Sequence, residues 1–153
     1  MIDLGRIETG LQNIEGFIGE KAIAIAARVI KERILTLTSQ GLDYQGNQFP
    51  QVSSFGHSLG AYSYAYGRKR YNAGKQIAVR DLYFSGDMLN SIYFIPYTDG
   101  GVLTMPDEQM KIAEYNEQWG AHFFNASEET VQMACNEIEI ELQAEIDGWI
   151  GNE

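Results

Sequence analysis

Ile23, Ala27, Ile30, Ile34 and Leu37 follow one another at spacings of 4, 3, 4 and 3. That rhythm puts all five on one face of a helix, whereas a strand of period two would split them between its faces. Lys21, Arg28, Lys31, Glu32 and Arg33 fill the other faces. The chain must therefore build around one long N-terminal helix with a single apolar face to cover. Its end is expected at Gln40-Gly41, where glycine accepts the left-handed cap conformation. Gly10, Gly16 and Gly19 weaken the preceding stretch, which predicts a shorter helix and a break.

Beyond the helix the punctuation changes. Gly41, Gly46, Pro50, Gly56 and Gly60 sit among Asp, Asn, Gln and Ser, so 41–60 reads as turns, and 40–75 as an extended loop or arm. Within it Tyr62, Tyr66 and Arg70 fall at i, i+4 and i+8, which predicts a short helix weakened by Gly67. From Ile77 the residues are β-branched and aromatic, and Ile77–Phe84 and Ser91–Ile95 suit strands. Asp99-Gly100-Gly101 is a hairpin turn that returns as Val102-Leu103-Thr104. Pro106-Asp107 opens a helix, with Asp107 as its N-cap and Gly120 as its stop. After His122-Phe123-Phe124, Asn125 or Ser127 caps a closing helix that carries Glu128 and Glu129 in its first turn. Val131, Cys135, Ile138, Leu142, Ile146 and Trp149 are its expected apolar stripe, with Cys135 a small core residue.

The result is an α+β chain: a long N-terminal helix, an extended loop, a small antiparallel β-sheet with a hairpin, and C-terminal helices packed on that sheet. Its 153 residues, 44% hydrophobic, suit one domain over 1–153 with one core. A lone cysteine allows no internal disulfide, and no apolar run reaches membrane-spanning length, so a soluble intracellular chain without a secretory signal is expected.

The net charge of −10 is unevenly placed. Five of the 11 basic residues lie between Arg68 and Arg80. After Lys111 there are ten acids and no Lys or Arg. An acidic helix face keeps a protein soluble, or meets a basic partner. Tight general binding of nucleic acid needs a broad basic surface that this chain lacks.

One catalytic pattern is present. Gly56-His57-Ser58-Leu59-Gly60 spells G-x-S-x-G, with Asp81, Asp87, Asp99 and Asp107 and then His122 downstream, the order of a serine hydrolase. A nucleophile elbow needs strands before it and βα repeats after it, and the chain offers helix, turns and a hairpin instead. The expected role of the motif is a glycine-rich turn. His57 and His122 stand outside any metal-ligand frame, and no phosphate-cradling loop occurs, so neither metal nor cofactor is expected.

Four short motifs, in order, carry a resemblance. Asp43-Tyr44-Gln45-Gly46-Asn47-Gln48-Phe49-Pro50 fits D-x-x-G-x-x-aromatic-P, and a Tyr- and Lys/Arg-containing segment, Tyr62 to Lys75, follows. Leu82 to Ile92 (LYFSGDMLNSI) is similar to L-x-x-[ST]-G-x-L-x-x-S-I with one residue added, and Ala113 to Gly120 (AEYNEQWG) is similar to A-x-x-[HN]-x-x-G with a one-residue offset. Together they resemble the neck and tail-completion proteins of tailed phages, the virion-morphogenesis family, over about residues 20 to 145. Ala121-His122 stands where that family often has Arg before the Phe pair, and the closing helix is unusually acidic.

The resemblance implies a structural, non-enzymatic virion protein of the head–tail junction that forms a homo-oligomeric ring and acts without a cofactor. It resides in the host cytoplasm during assembly. Its partners would be copies of itself, other neck and tail proteins, and DNA passing through without specific binding; no membrane is involved. Phe49, Tyr62, Tyr64, Tyr66, Arg68, Lys69 and Arg70 are the expected contact residues, with the basic segment of one subunit facing the acidic helix of the next. Acidic helices lining a channel are a second arrangement, in which repulsion lets DNA slide. The competing expectations are a small serine hydrolase built on Ser58 and an adaptor for a basic partner.

Overall fold

The computed structural model describes residues 17–51, 56–97 and 100–150, and over them the chain is α+β. The expectations for Gly10, Gly16, Val52–Phe55 and Asp99, and for the Trp149 side chain, lie outside the described residues. A π-helical turn, Phe17–Lys21, runs into α1 (Ala22–Ser39). Ala27, Ile34 and Leu37 are buried and Ile23 and Ile30 half-buried, as their spacing requires. Gly41 closes the helix at φ 76°, and Leu42 N donates back to the Leu37 carbonyl at 2.9 Å.

After α1 come β1 (Ser58–Leu59), β2 (Tyr62–Ser63), α2 (Tyr64–Asn72), α3 (Asp87–Asn90), β3 (Tyr93–Tyr97), β4 (Gly100–Thr104), α4 (Asp107–Gln118) and α5 (Glu128–Ile150). The strands form two separate antiparallel two-stranded ladders, β1–β2 and β3–β4. The described residues group into two compact units, one of residues 17–31, 94–97, 100–103 and 128–150 and one of 32–51, 56–93 and 104–127.

In the first unit, Lys21 Nζ meets Glu145 Oε2 at 3.0 Å and Arg28 Nη2 meets Glu137 Oε1 at 2.9 Å. Seven residues forward, from the end of the π-helical turn into α1, answer eight backward along α5, so the two segments pair antiparallel. Each pair is exposed and contributes about 0.2–1 kcal/mol, which suits fixing register better than holding the fold. The inward face of α5 is Thr130, Ala134, Ile138, Leu142 and Ile146. Val131 and Cys135 are exposed, so the predicted stripe is wrong at its start, and Cys135 is not a core residue. Hydrophobicity favoured Val131 and Cys135, but the packing turns the smaller Thr130 and Ala134 inward. On the hairpin, Phe94 covers Gly101, where a Cβ would stand 2.1 Å from the ring.

In the second unit, β1 and β2 pair Ser58 with Ser63 and Leu59 with Tyr62, and α2 packs on both strands. Gly67, which weakens α2 as a helix former, permits that packing: a Cβ there would lie 2.7 Å from the Leu59 carbonyl oxygen. Asp107 is the first residue of α4 rather than its N-cap; Pro106 holds the cap position, and its carbonyl accepts from the Gln109 and Met110 amides at 2.8 and 2.9 Å. Gly120 ends α4 at φ 76° and lies against Pro50.

The segment expected as a strand over Ile77–Phe84 is coil. Apart from the Ile77 carbonyl, which accepts from the Ala61 amide, its bonded backbone groups meet side chains rather than a neighbouring strand. Tyr83 N donates to Asp81 Oδ1, Asp81 N to the Tyr62 hydroxyl, and Val79 N to Gln76 Oε1. Residue types favoured a ladder, but the side chains of Tyr62, Arg70, Gln76 and Asp81 supply partners that a ladder would otherwise provide.

Candidate functional site

A buried polar knot holds this coil against α2. Arg70 is 1% exposed, and its Nη2 donates to both oxygens of Asp81 at 2.9 and 3.0 Å. Its Nε donates to the Gln76 carbonyl and its Nη1 to the Tyr83 carbonyl, each at 3.0 Å. The guanidinium stacks 4.5 Å from the Tyr62 ring centroid, and the Tyr62 hydroxyl donates to Asp81 Oδ1 at 2.9 Å. Burial, with Asp81 alongside, pushes that hydroxyl well above the usual tyrosine pKa. Asp81 also accepts from Gln76 Nε2. Each charge is paired and hydrogen-bonded, the condition under which a buried ion pair is tolerated.

A second buried guanidinium is less fully matched. Arg80 is 5% exposed, and it donates to the Trp119 carbonyl at 2.9 Å and to Asn116 Oδ1 at 3.1 Å. These acceptors are neutral and lie at the C-terminal end of α4, whose dipole favours a cation but supplies only about half a charge. Among the described residues no carboxylate pairs with Arg80. Burial lowers its pKa, against the opposing pull of Tyr62 and Tyr115.

Arg80 and Arg70 form part of the lining of a groove of about 520 Å³ between the 80–86 coil, the start of α3, α2 and α4. Tyr62, Tyr66 and Phe84 make one aromatic wall, with centroid separations of 5.4 and 5.9 Å. Tyr115 and Trp119, 6.2 Å apart, make the other, joined by Ile112. Ile112, Tyr115 and Trp119 are 47%, 59% and 52% exposed, an apolar ridge on the open side of α4. Gln109 contributes a buried side-chain oxygen without a hydrogen-bond partner among the described residues. Lys69 stands 5.0 Å over the Phe84 ring at the rim, and exposed Asp87 is hydrogen-bonded to Ser85. Leu82 lines the groove with φ 54°, a conformation strained for leucine and spanned by the Asp81-to-Tyr83 turn.

The expected contact residues separate by exposure. Tyr64 and Tyr66 are 49% and 39% exposed, and Arg68 and Lys69 are exposed too. Phe49, Tyr62 and Arg70 are buried at 7%, 4% and 1%, so they build the scaffold, with Tyr62 and Arg70 also lining the groove. Sequence reasoning missed Arg80, Phe84, Tyr115 and Trp119. The i, i+3, i+7 spacing of Ile112, Tyr115 and Trp119 was the available signal, and it marks an exposed ridge.

Among the described residues, Ser58 makes no hydrogen bond to a histidine or a carboxylate. Ser58 lies in β1, which turns straight back as β2, and its Oγ is 3.5 Å from Gln51 Nε2. His122 Nδ1 is 2.8 Å from Glu117 Oε2, while Glu117 Oε1 accepts from the Phe123 and Phe124 amides at 2.9 and 3.1 Å. These contacts clamp the link after α4 and border a shallow cleft of about 690 Å³ that also takes in Asp43 and Glu114. Among the described residues no cluster of His, Cys, Asp and Glu is arranged to hold a metal ion, and no helix is long and apolar enough to cross a membrane. Comparison with family models, curated proteins and solved structures finds no match.

Proposed function

We propose that the chain is a structural subunit of the head–tail junction of a tailed phage, assembling with copies of itself into a ring and working without catalysis or cofactor. The order of the four motifs along the chain carries this reading. The placement of those motifs supports it. Asp43 Oδ1 accepts from the Gln45 and Asn47 amides at 2.9 and 2.8 Å, shaping the first loop, and Pro50 of that loop abuts Gly120 of the last motif. Leu82 and Asn116, from the two later motifs, both line the aromatic groove. The motifs thus converge in one compact unit and frame a surface suited to contact rather than to chemistry.

Electron microscopy of the purified protein, with its mass measured alongside, tests this, together with imaging of particles that contain it. Rings, or density at the neck of virions, are the expected result. A chain that neither forms rings nor occupies the neck of such particles overturns the proposal.

A further inference from the structure

Two exposed surfaces of the chain match each other chemically. The first is the groove, an aromatic slot whose buried Arg80 finds no carboxylate among the described residues. Burying a cation beside neutral acceptors alone is unfavourable, and a carboxylate delivered to it would gain a charge-assisted hydrogen bond.

The second surface is one face of α5. Met133 and Ile140 are seven residues apart, two helical turns, and are 42% and 66% exposed. Asp147 continues the same row seven residues further on, and Glu139 and Glu141 flank Ile140. Glu139 and Glu141 have no cation partner among the described residues, whereas Glu137 and Glu145 are engaged by Arg28 and Lys21. Aliphatic knobs flanked by carboxylates answer an aromatic slot that holds a cation.

We propose that the Met133–Ile140 face of α5 from a second copy seats in the groove between Phe84 and Trp119, with an adjacent carboxylate completing the contacts of Arg80. Groove and helix face are different surfaces, so the contact is head-to-tail: each copy offers one groove and one helix. It deepens the ring reading above and rests on it. The aliphatic side chains fill the slot and set affinity, while Lys69 at the rim and the remaining acids of α5 steer approach.

The test uses the full chain with one face blocked at a time. Ile140→Lys spoils the helix face, and Trp119→Ala spoils the groove; both side chains are half or more exposed, so folding is expected to survive and is checked by circular dichroism. Light scattering or mass photometry should show wild-type mass rising with concentration above the 17.2 kDa of one chain. Each variant alone should associate at least about tenfold more weakly. Mixed together, they should restore a single junction and give a dimer, because one supplies an intact groove and the other an intact helix. Association of either variant at wild-type strength, or a mixture that stays monomeric, overturns the contact while leaving a ring built through other surfaces. A wild-type chain that stays monomeric in solution and at the neck overturns the ring itself.

Discussion

Arg70 and Asp81 form a buried ion pair across 11 residues of chain, one guanidinium nitrogen donating to both carboxylate oxygens at 2.9 and 3.0 Å. Removing one partner strands the other charge inside the protein. Arg70→Met and Asp81→Leu are each expected to cost about 3–5 kcal/mol. The double variant, with neither charge, should recover part of that loss, since an apolar pair of similar volume is tolerated. Urea unfolding of the four proteins measures this coupling, and strictly additive losses would refute it.

Tyr62 ties the same knot to pH. Its hydroxyl stays protonated in the folded chain well above the usual tyrosine range, chiefly through burial. In the unfolded chain it ionises near the ordinary value of about 10. The folded state therefore binds more protons above that pH, and stability declines as pH rises through and beyond it. Tyr62→Phe should cost about 1–3 kcal/mol at neutral pH, because Asp81 loses a buried donor. The variant should also fall less steeply than wild type above about pH 10. Chemical denaturation at several alkaline pH values decides it; equal slopes would contradict the assignment.

What the sequence disclosed, and what it hid, divides along the range of the interactions. The α1 stripe and the Gly41 and Gly120 stops are local signals, and they stand where spacing and glycine conformation put them. The Ile77–Phe84 segment was misread because residue type favoured a ladder, while Arg70 and Tyr62, distant in sequence, captured its polar groups. The burial of Tyr62 and Arg70, two of the expected contact residues, was hidden for the same reason. Tyr62 and Arg70 look like surface residues in a polar segment, and only the position of Asp81 shows that they are buried together. Arg80 and Trp119 gave no local sign of sharing a groove, since the hydrogen bond joining them spans 39 residues.

The glycines of the serine motif make unequal demands. Gly60 has φ 62°, and a Cβ there would lie 1.9 Å from the Ile77 carbonyl oxygen, which also accepts from the Ala61 amide at 2.8 Å. Gly60→Ala must displace that backbone, and a loss above about 4 kcal/mol is expected. Gly56 has φ 75° but nothing within 4 Å of a Cβ. Gly56→Ala should cost only the left-handed strain, about 1–2 kcal/mol. Thermal unfolding of both variants separates crowding from strain, and similar losses would argue against the close approach at Gly60.

Ser58 itself should be dispensable. It is exposed, and its Oγ reaches only Gln51 at 3.5 Å. Ser58→Ala is expected to change stability by less than about 0.5 kcal/mol. A fluorophosphonate probe should leave wild type and variant equally unlabelled. Labelling of wild type that disappears in the variant would revive the hydrolase reading.

The basic segment supplies the last test, now confined to its exposed members. Reversing Arg70 would unfold the knot and reveal nothing about partners, whereas Arg68 and Lys69 are exposed. Arg68→Glu/Lys69→Glu should therefore change stability by no more than about 1 kcal/mol, most of it the loss of Lys69 over Phe84. If these cations steer the acidic helix of a neighbouring copy, the double reversal slows association at low salt. Its difference from wild type then shrinks as added salt screens charges beyond about 10 Å at 0.1 M. Stopped-flow light scattering across ionic strengths gives both rates. Equal rates at low salt would remove the basic segment from the assembly and leave the aromatic groove to act without it.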